Sequence, residues 1–81
     1  MLAIQATSKT VVYLHMEQDN GINKGGYYCE VYEGNDKSSR LLDQFTIPKS
    51  QIIGTDMRER DNRGRKYAME RIKNTFKRGI R

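Results

Sequence analysis

Apolar and polar residues alternate along the first two-thirds of this chain, and then the period changes. From Thr10 to Met16 one face collects Val12, Leu14 and Met16 while Val11, Tyr13 and His15 fall on the other, the period-two signature of a half-buried strand. Tyr27 to Glu33 repeats it, with Tyr27, Cys29 and Val31 opposite Tyr28, Glu30 and Tyr32. Arg40 to Ile47 reads as a third strand with Leu41, Phe45 and Ile47 turned to the core, a register that leaves Asp43 on the wrong side. Breakers separate these runs: Asp19, Asn20-Gly21 and Gly25-Gly26 make a hairpin loop, and Gly34-Asn35-Asp36-Lys37 a second turn. Pro48 closes the third strand because it has no N–H to give a ladder.

Beyond Pro48 the period becomes helical. Ala68, Ile72 and Phe76 recur every four residues, flanked by Met69 and Thr75. Asp56 and Glu59 have capping-box spacing, and Asn62 offers a later cap. Because Gly64 would cost about 1 kcal/mol inside a helix, the expected start is near residue 62, with 48–61 as a charged loop. Gly79 follows Lys77 and Arg78 as a stop, so the helix is expected over about 62–78. Ile52-Ile53 either adds a short fourth strand or plugs the junction of sheet and helix, and residues 1–9 either fray or extend the first strand. The expected fold class is α+β: a three-stranded, or four-stranded, antiparallel sheet packed by one C-terminal helix, in the order β-β-β-α. Strands are expected near 10–17, 27–33 and 40–47.

Eighty-one residues, 36% of them hydrophobic and none of them Trp, allow one domain over 1–81 with a thin core. A homodimer that shares or extends that core is one arrangement open to it. Cys29 is the only cysteine, which excludes an internal disulfide and a multi-cysteine metal site and suits a reducing, cytoplasmic setting. The opening Met1-Leu2-Ala3-Ile4-Gln5-Ala6 lacks the regions of a signal peptide, and no run reaches the roughly 18 apolar residues of a membrane span. No membrane partner is expected.

Charge sharpens the picture. Met57 to Arg81 carries ten Lys or Arg residues against three acids, whereas Met1 to Asp56 has five bases and seven acids. Clustered cations release counterions on meeting phosphates, so nucleic acid is the expected partner, DNA or RNA left open. The candidate contacts are Arg58, Arg60, Arg63, Arg65, Lys66, Arg71, Lys73, Lys77 and Arg78. The bland alternative is a solvated basic face. Tyr13, Tyr28 and Tyr32 are candidates for base stacking or an interface, and Lys24 at the hairpin tip for a groove edge. His15 is the only histidine and has no nucleophile arrangement around it, so neither catalysis nor a metal or cofactor is expected.

The stretch Arg63-Gly64-Arg65-Lys66-Tyr67-Ala68-Met69-Glu70-Arg71-Ile72 resembles the start of the last helix in double-stranded-RNA-binding domains, where a basic pair precedes a small residue after a three-stranded sheet. That resemblance implies a phosphate-gripping role for Arg65 and Lys66. The family's first helix, which reads the minor groove, has no counterpart here. Tyr27-Tyr28-Cys29 after Gly25-Gly26 is also similar to phage-type integrase arm-binding domains, which insert their sheet into DNA. A competing class is a protein-interaction or regulatory module, such as a phage- or plasmid-type accessory factor, acting through an open sheet face or edge, alone or as a homodimer.

Overall fold

The computed structural model describes residues 1–53 and 56–77. Four strands, β1 (Leu2–Gln5), β2 (Val11–Gln18), β3 (Tyr27–Tyr32) and β4 (Leu41–Ile47), form one antiparallel sheet in sequential order. A 3-10 turn at Lys49–Gln51 leads toward the helix α1 (Met57–Lys77), which packs on one face of the sheet. The chain is thus α+β, with the fourth strand supplied by the N-terminus. Residues 2–5 pair antiparallel with β2, Ile4 opposite Val12, rather than fraying or lengthening it. The turn between β1 and β2 is tight enough for the Ala6 N–H to donate to the Thr10 carbonyl at 2.9 Å.

The period-two pattern sets the core. Ile4, Val12, Leu14, Tyr27, Cys29, Val31, Phe45 and Ile47 are buried on the face that meets Ala68 and Ile72 of α1. Ile52, only 2% exposed, plugs the junction between sheet and helix, whereas Ile53 is exposed and no fourth strand forms there.

Three expectations about local structure are corrected. The helix begins at Met57, not near residue 62, so the connecting loop is shorter than 48–61. Asp56 makes this possible, because its Oδ1 accepts the Glu59 N–H at 2.8 Å and so satisfies a donor that the first turn leaves orphaned. Gly64 therefore lies inside the helix, and its cost is offset by tertiary contact. It is buried, and a β-carbon there would stand 3.1 Å from Tyr27 Cδ2 and 3.4 Å from Met16 Sδ.

The third correction concerns β4. A bulge between Val31 and Tyr32 brings Leu41 opposite Tyr32 while Asp43 lies opposite Val31. Leu41 is accordingly 43% exposed, and Leu42 packs against the core in its place. A bulge inserts one extra residue and so reverses the face on which the preceding residues fall. Asp43 does lie on the helix side, as the alternation implied, and there it meets the Arg71 guanidinium, Nε to Oδ2 at 3.5 Å.

Candidate nucleic-acid interface

At about 100° per residue, the buried positions Gly64, Ala68 and Ile72 define one side of α1, and Lys66, Lys73 and Lys77 fall near the opposite side. Arg58 and Arg65 flank this ridge toward β1 and β2, where Arg65 borders a shallow hollow with Leu2, Leu14 and Met16. Arg60 and Arg71 flank it on the other side. From Arg58 to Lys77 the ridge runs about 28 Å at about 1.5 Å per residue, a little less than one turn of duplex DNA.

The cations differ in how free they are. Arg71 is committed, because its guanidinium lies 4.5 Å from the Phe45 ring centroid and beside Asp43. The contact is an ion pair without hydrogen-bond geometry, since Asp43 Oδ2 is buried and accepts no hydrogen bond among the described residues. Arg63 is shared with Glu59 one turn back, at 2.9 Å. Among the described residues no ion pair holds Arg58, Arg60, Arg65, Lys66, Lys73 or Lys77. Arg78 lies outside the described residues.

What fixes the ridge is a pair of contacts between the sheet and its first turns. The Tyr27 hydroxyl donates to Asp61 Oδ1, and Gln18 Nε2 donates to Met57 Sδ at 2.8 Å, so β2 and β3 both hold the first turns of α1. Burial, reinforced by the Asp61 carboxylate, pushes the Tyr27 phenol up to about 12. Tyr27 thus stays neutral and keeps donating over the ordinary pH range. A cleft of about 220 Å³ opens beside this contact, bordered by Lys24, Gly25, Gly26, Met57 and Arg60. It brings the hairpin-loop lysine to the same end of the molecule as the helix start. Gly25 has φ 92°, which glycine adopts without strain, and the Gly26 N–H donates to the Asn23 carbonyl at 2.9 Å.

The tyrosines occupy the other face. Glu30 sits between Tyr28 and Tyr32 and accepts both hydroxyls at 3.0 Å, one on each carboxylate oxygen. The hydrogen bond to Glu30 raises the Tyr28 phenol. For Tyr32 burial does so first and Glu30 second. Tyr32 is only 7% exposed, so its ring offers little to a stacking base, whereas Tyr13 and Tyr28 are half-buried. Glu17, whose carboxylate lies 3.4 Å from His15 Nε2, adds a second negative charge to this face. The structure therefore separates the candidates: the cations ring the helix, while the tyrosines stand with two glutamates on the far side of the sheet.

The contact between Gly64 and Tyr27 is not legible in the sequence, whereas the Asp56 cap is one of the two starts that the sequence offers. Asp56 with Glu59 had the right spacing, but the mean penalty of a helical glycine argued for a later start. Comparison of the chain with protein-family models, curated proteins and solved structures returned no match.

Proposed function

We propose that this chain binds nucleic acid through phosphate contacts from the outer ridge of α1, chiefly Lys66, Lys73 and Lys77 with Arg58 and Arg65 beside them. One observation carries the reading: these side chains project from a helix docked by Ala68 and Ile72 and capped by Asp56, with no carboxylate paired to them among the described residues. Fixed cations on a rigid element lose less conformational freedom on meeting a backbone than a flexible basic arm does. Arg71 is assigned to holding Asp43 rather than to phosphate. The glutamates of the open face make the sheet unsuited to a phosphate backbone, so the helix side is the binding side.

Phosphate contacts position a protein without reading sequence, so affinity for duplex DNA, duplex RNA and single strands should depend on salt before it depends on sequence. With three to five phosphates neutralised, log K should fall against log salt with a slope of about −3 to −4.5 on duplex DNA. The variant Lys66→Glu with Lys73→Glu should weaken binding and flatten the slope by about two. Fluorescence-anisotropy titrations at several salt concentrations test this. No binding to any of these forms at low salt, or a double variant with an unchanged slope, would refute the proposal.

A further inference from the structure

Of the five tyrosines, Tyr67 alone lies on α1, where it is half-buried and packs against the core. It also borders two hollows that adjoin one another along the helix. One, of about 340 Å³, is bordered by Tyr67, Glu70, Arg71 and Asn74. The other, of about 480 Å³, brings Gln51, Arg63 and Lys66 to Tyr67 and Glu70. Tyr67, Glu70, Arg71 and Asn74 are spaced i, i+3, i+4 and i+7, so they share one side of the helix. Arg71 fixes which side, because it lies over Phe45 of β4. Glu70 and Asn74 are exposed, and neither they nor the Tyr67 hydroxyl make a side-chain hydrogen bond or ion pair among the described residues. Glu70 thus pairs with neither Lys66 one turn before it nor Lys73 one turn after.

We infer that the smaller hollow receives one unpaired base of a nucleic acid, stacked on Tyr67, with Glu70 and Asn74 reading its edge. This role rests on the phosphate-binding ridge proposed above and adds what the ridge lacks, contact with a base. Lys66 and Lys73 lie about 10.5 Å apart along the helix axis, and Tyr67 and Glu70 fall between them. A strand whose phosphates meet those lysines therefore passes the hollow. Bases inside a duplex have both faces covered by their neighbours, so an aromatic ring takes an unpaired one. Stacking on the ring tolerates any base, but the polar groups beside it do not. A carboxylate accepts from the N4 amine of cytosine, and an asparagine amide pairs with the N6 edge of adenine. Uracil and thymine present a carbonyl oxygen at the corresponding position, which the Glu70 carboxylate repels. The hollow thus suits cytosine or adenine over uracil or thymine.

Charge sorts the two hollows. Lys66 and Arg63 border the larger one and suit a phosphate. In the smaller one Arg71 is offset by Asp43, so the Glu70 charge stands uncompensated there and an uncharged base fits better than a phosphate. Tyr13 and Tyr28 stand instead on the face away from the ridge, beside Glu17 and Glu30, where no cation of the ridge draws a strand across them.

Anisotropy titrations of the full chain test this, using thymidine dodecamers with one central cytidine or adenosine, the all-thymidine strand and a blunt duplex. The native chain should prefer the cytidine and adenosine strands roughly fivefold. Tyr67→Leu should weaken single-strand binding about fivefold or more, with the salt slope, the duplex affinity and the far-UV spectrum unchanged. Tyr67→Phe, which keeps the ring and its packing, should bind as the native chain does. Glu70→Gln, whose amide can donate to O4 of thymine, should erase the preference. A 5-iodocytosine at the central position should photocrosslink to Tyr67. Undiminished single-strand binding by Tyr67→Leu, equal affinity for the three strands, or a crosslink mapped to Tyr13 or Tyr28 would overturn the base site while leaving the ridge standing. A native chain that binds neither the strands nor the duplex at low salt would remove the ridge and the base site together.

Discussion

Gly64 is the position where local preference and tertiary packing oppose each other most directly, and Gly64→Ala separates them. Alanine in place of glycine inside a helix should stabilise it by about 1 kcal/mol. Here the new β-carbon would meet Tyr27 Cδ2 at 3.1 Å and Cε2 at 3.2 Å, with Met16 Sδ at 3.4 Å. Carbon pairs pack best at about 3.5–4.0 Å, so the ring must retreat by roughly 0.4 Å. Tyr27 is 3% exposed and its hydroxyl is tied to Asp61 on the same helix, which leaves it little room. Overpacking of this kind costs about 1–3 kcal/mol. The net expectation is a loss of about 0–2 kcal/mol, a fall in melting temperature of up to about 10 °C for a chain of this size. In a Tyr27→Leu background the obstruction is gone, and the same change should stabilise by about 1 kcal/mol. Urea unfolding followed by circular dichroism, over the four proteins of the cycle, measures the coupling. If Gly64→Ala stabilises the native background as much as the Tyr27→Leu one, the glycine is not there for the ring, and the account of why α1 runs through it is wrong.

Asp56→Ala should cost about 1 kcal/mol and reduce helix content at the start of α1, read by hydrogen exchange at Glu59 and Arg60, because the side chain accepts the Glu59 N–H. Gly26→Ala should be severe, on the order of 3 kcal/mol, since its β-carbon would fall 2.2 Å from the Ile47 carbonyl oxygen, a backbone atom of the sheet. Arg71→Ala should lower thermal stability by about 1–3 kcal/mol by leaving Asp43 without its cation, while the salt slope of nucleic-acid binding stays near that of the native chain. Alkaline pH should destabilise the fold through two groups. Burial holds the Tyr27 phenol and the Cys29 thiol each at about 12, above their ordinary values near 10 and 9. A raised folded-state value means that the associated stability is complete below the unfolded value and is lost as pH climbs toward the folded one. Stability should therefore decline from about pH 9 to 12, and Tyr27→Phe should remove the part that begins near pH 10. A stability profile flat over that window in the native chain would contradict the burial of both groups.

Much of the architecture was legible because strands half-buried on one face leave a period-two record in the chain. Val12 and Leu14, like Tyr27, Cys29 and Val31, needed no tertiary information to be placed on the core side. The spacing of Ala68, Ile72 and Phe76 likewise marked a docked helix, and its basic composition marked the ridge. What misled was a one-residue irregularity and an averaged penalty. The bulge at Val31 and Tyr32 moved Leu41 outward, and nothing in the local pattern of Arg40 to Ile47 signals an extra residue. The cost of Gly64 was applied as though the helix stood alone in water.

Sequence alone determined the element types, the core stripe, and the concentration of positive charge at one end, since each is a local property of residue type and period. Only the tertiary structure decided which cations are free. Arg71 differs from Lys73 not in charge but in having Asp43 and Phe45 beneath it. It also decided that β1 closes the sheet and that Tyr27 reaches Asp61 across the layer. These are contacts between residues far apart in the chain or on neighbouring strands. Their partners are fixed by how the sheet twists and where the helix settles, and neither is written in any short window of sequence.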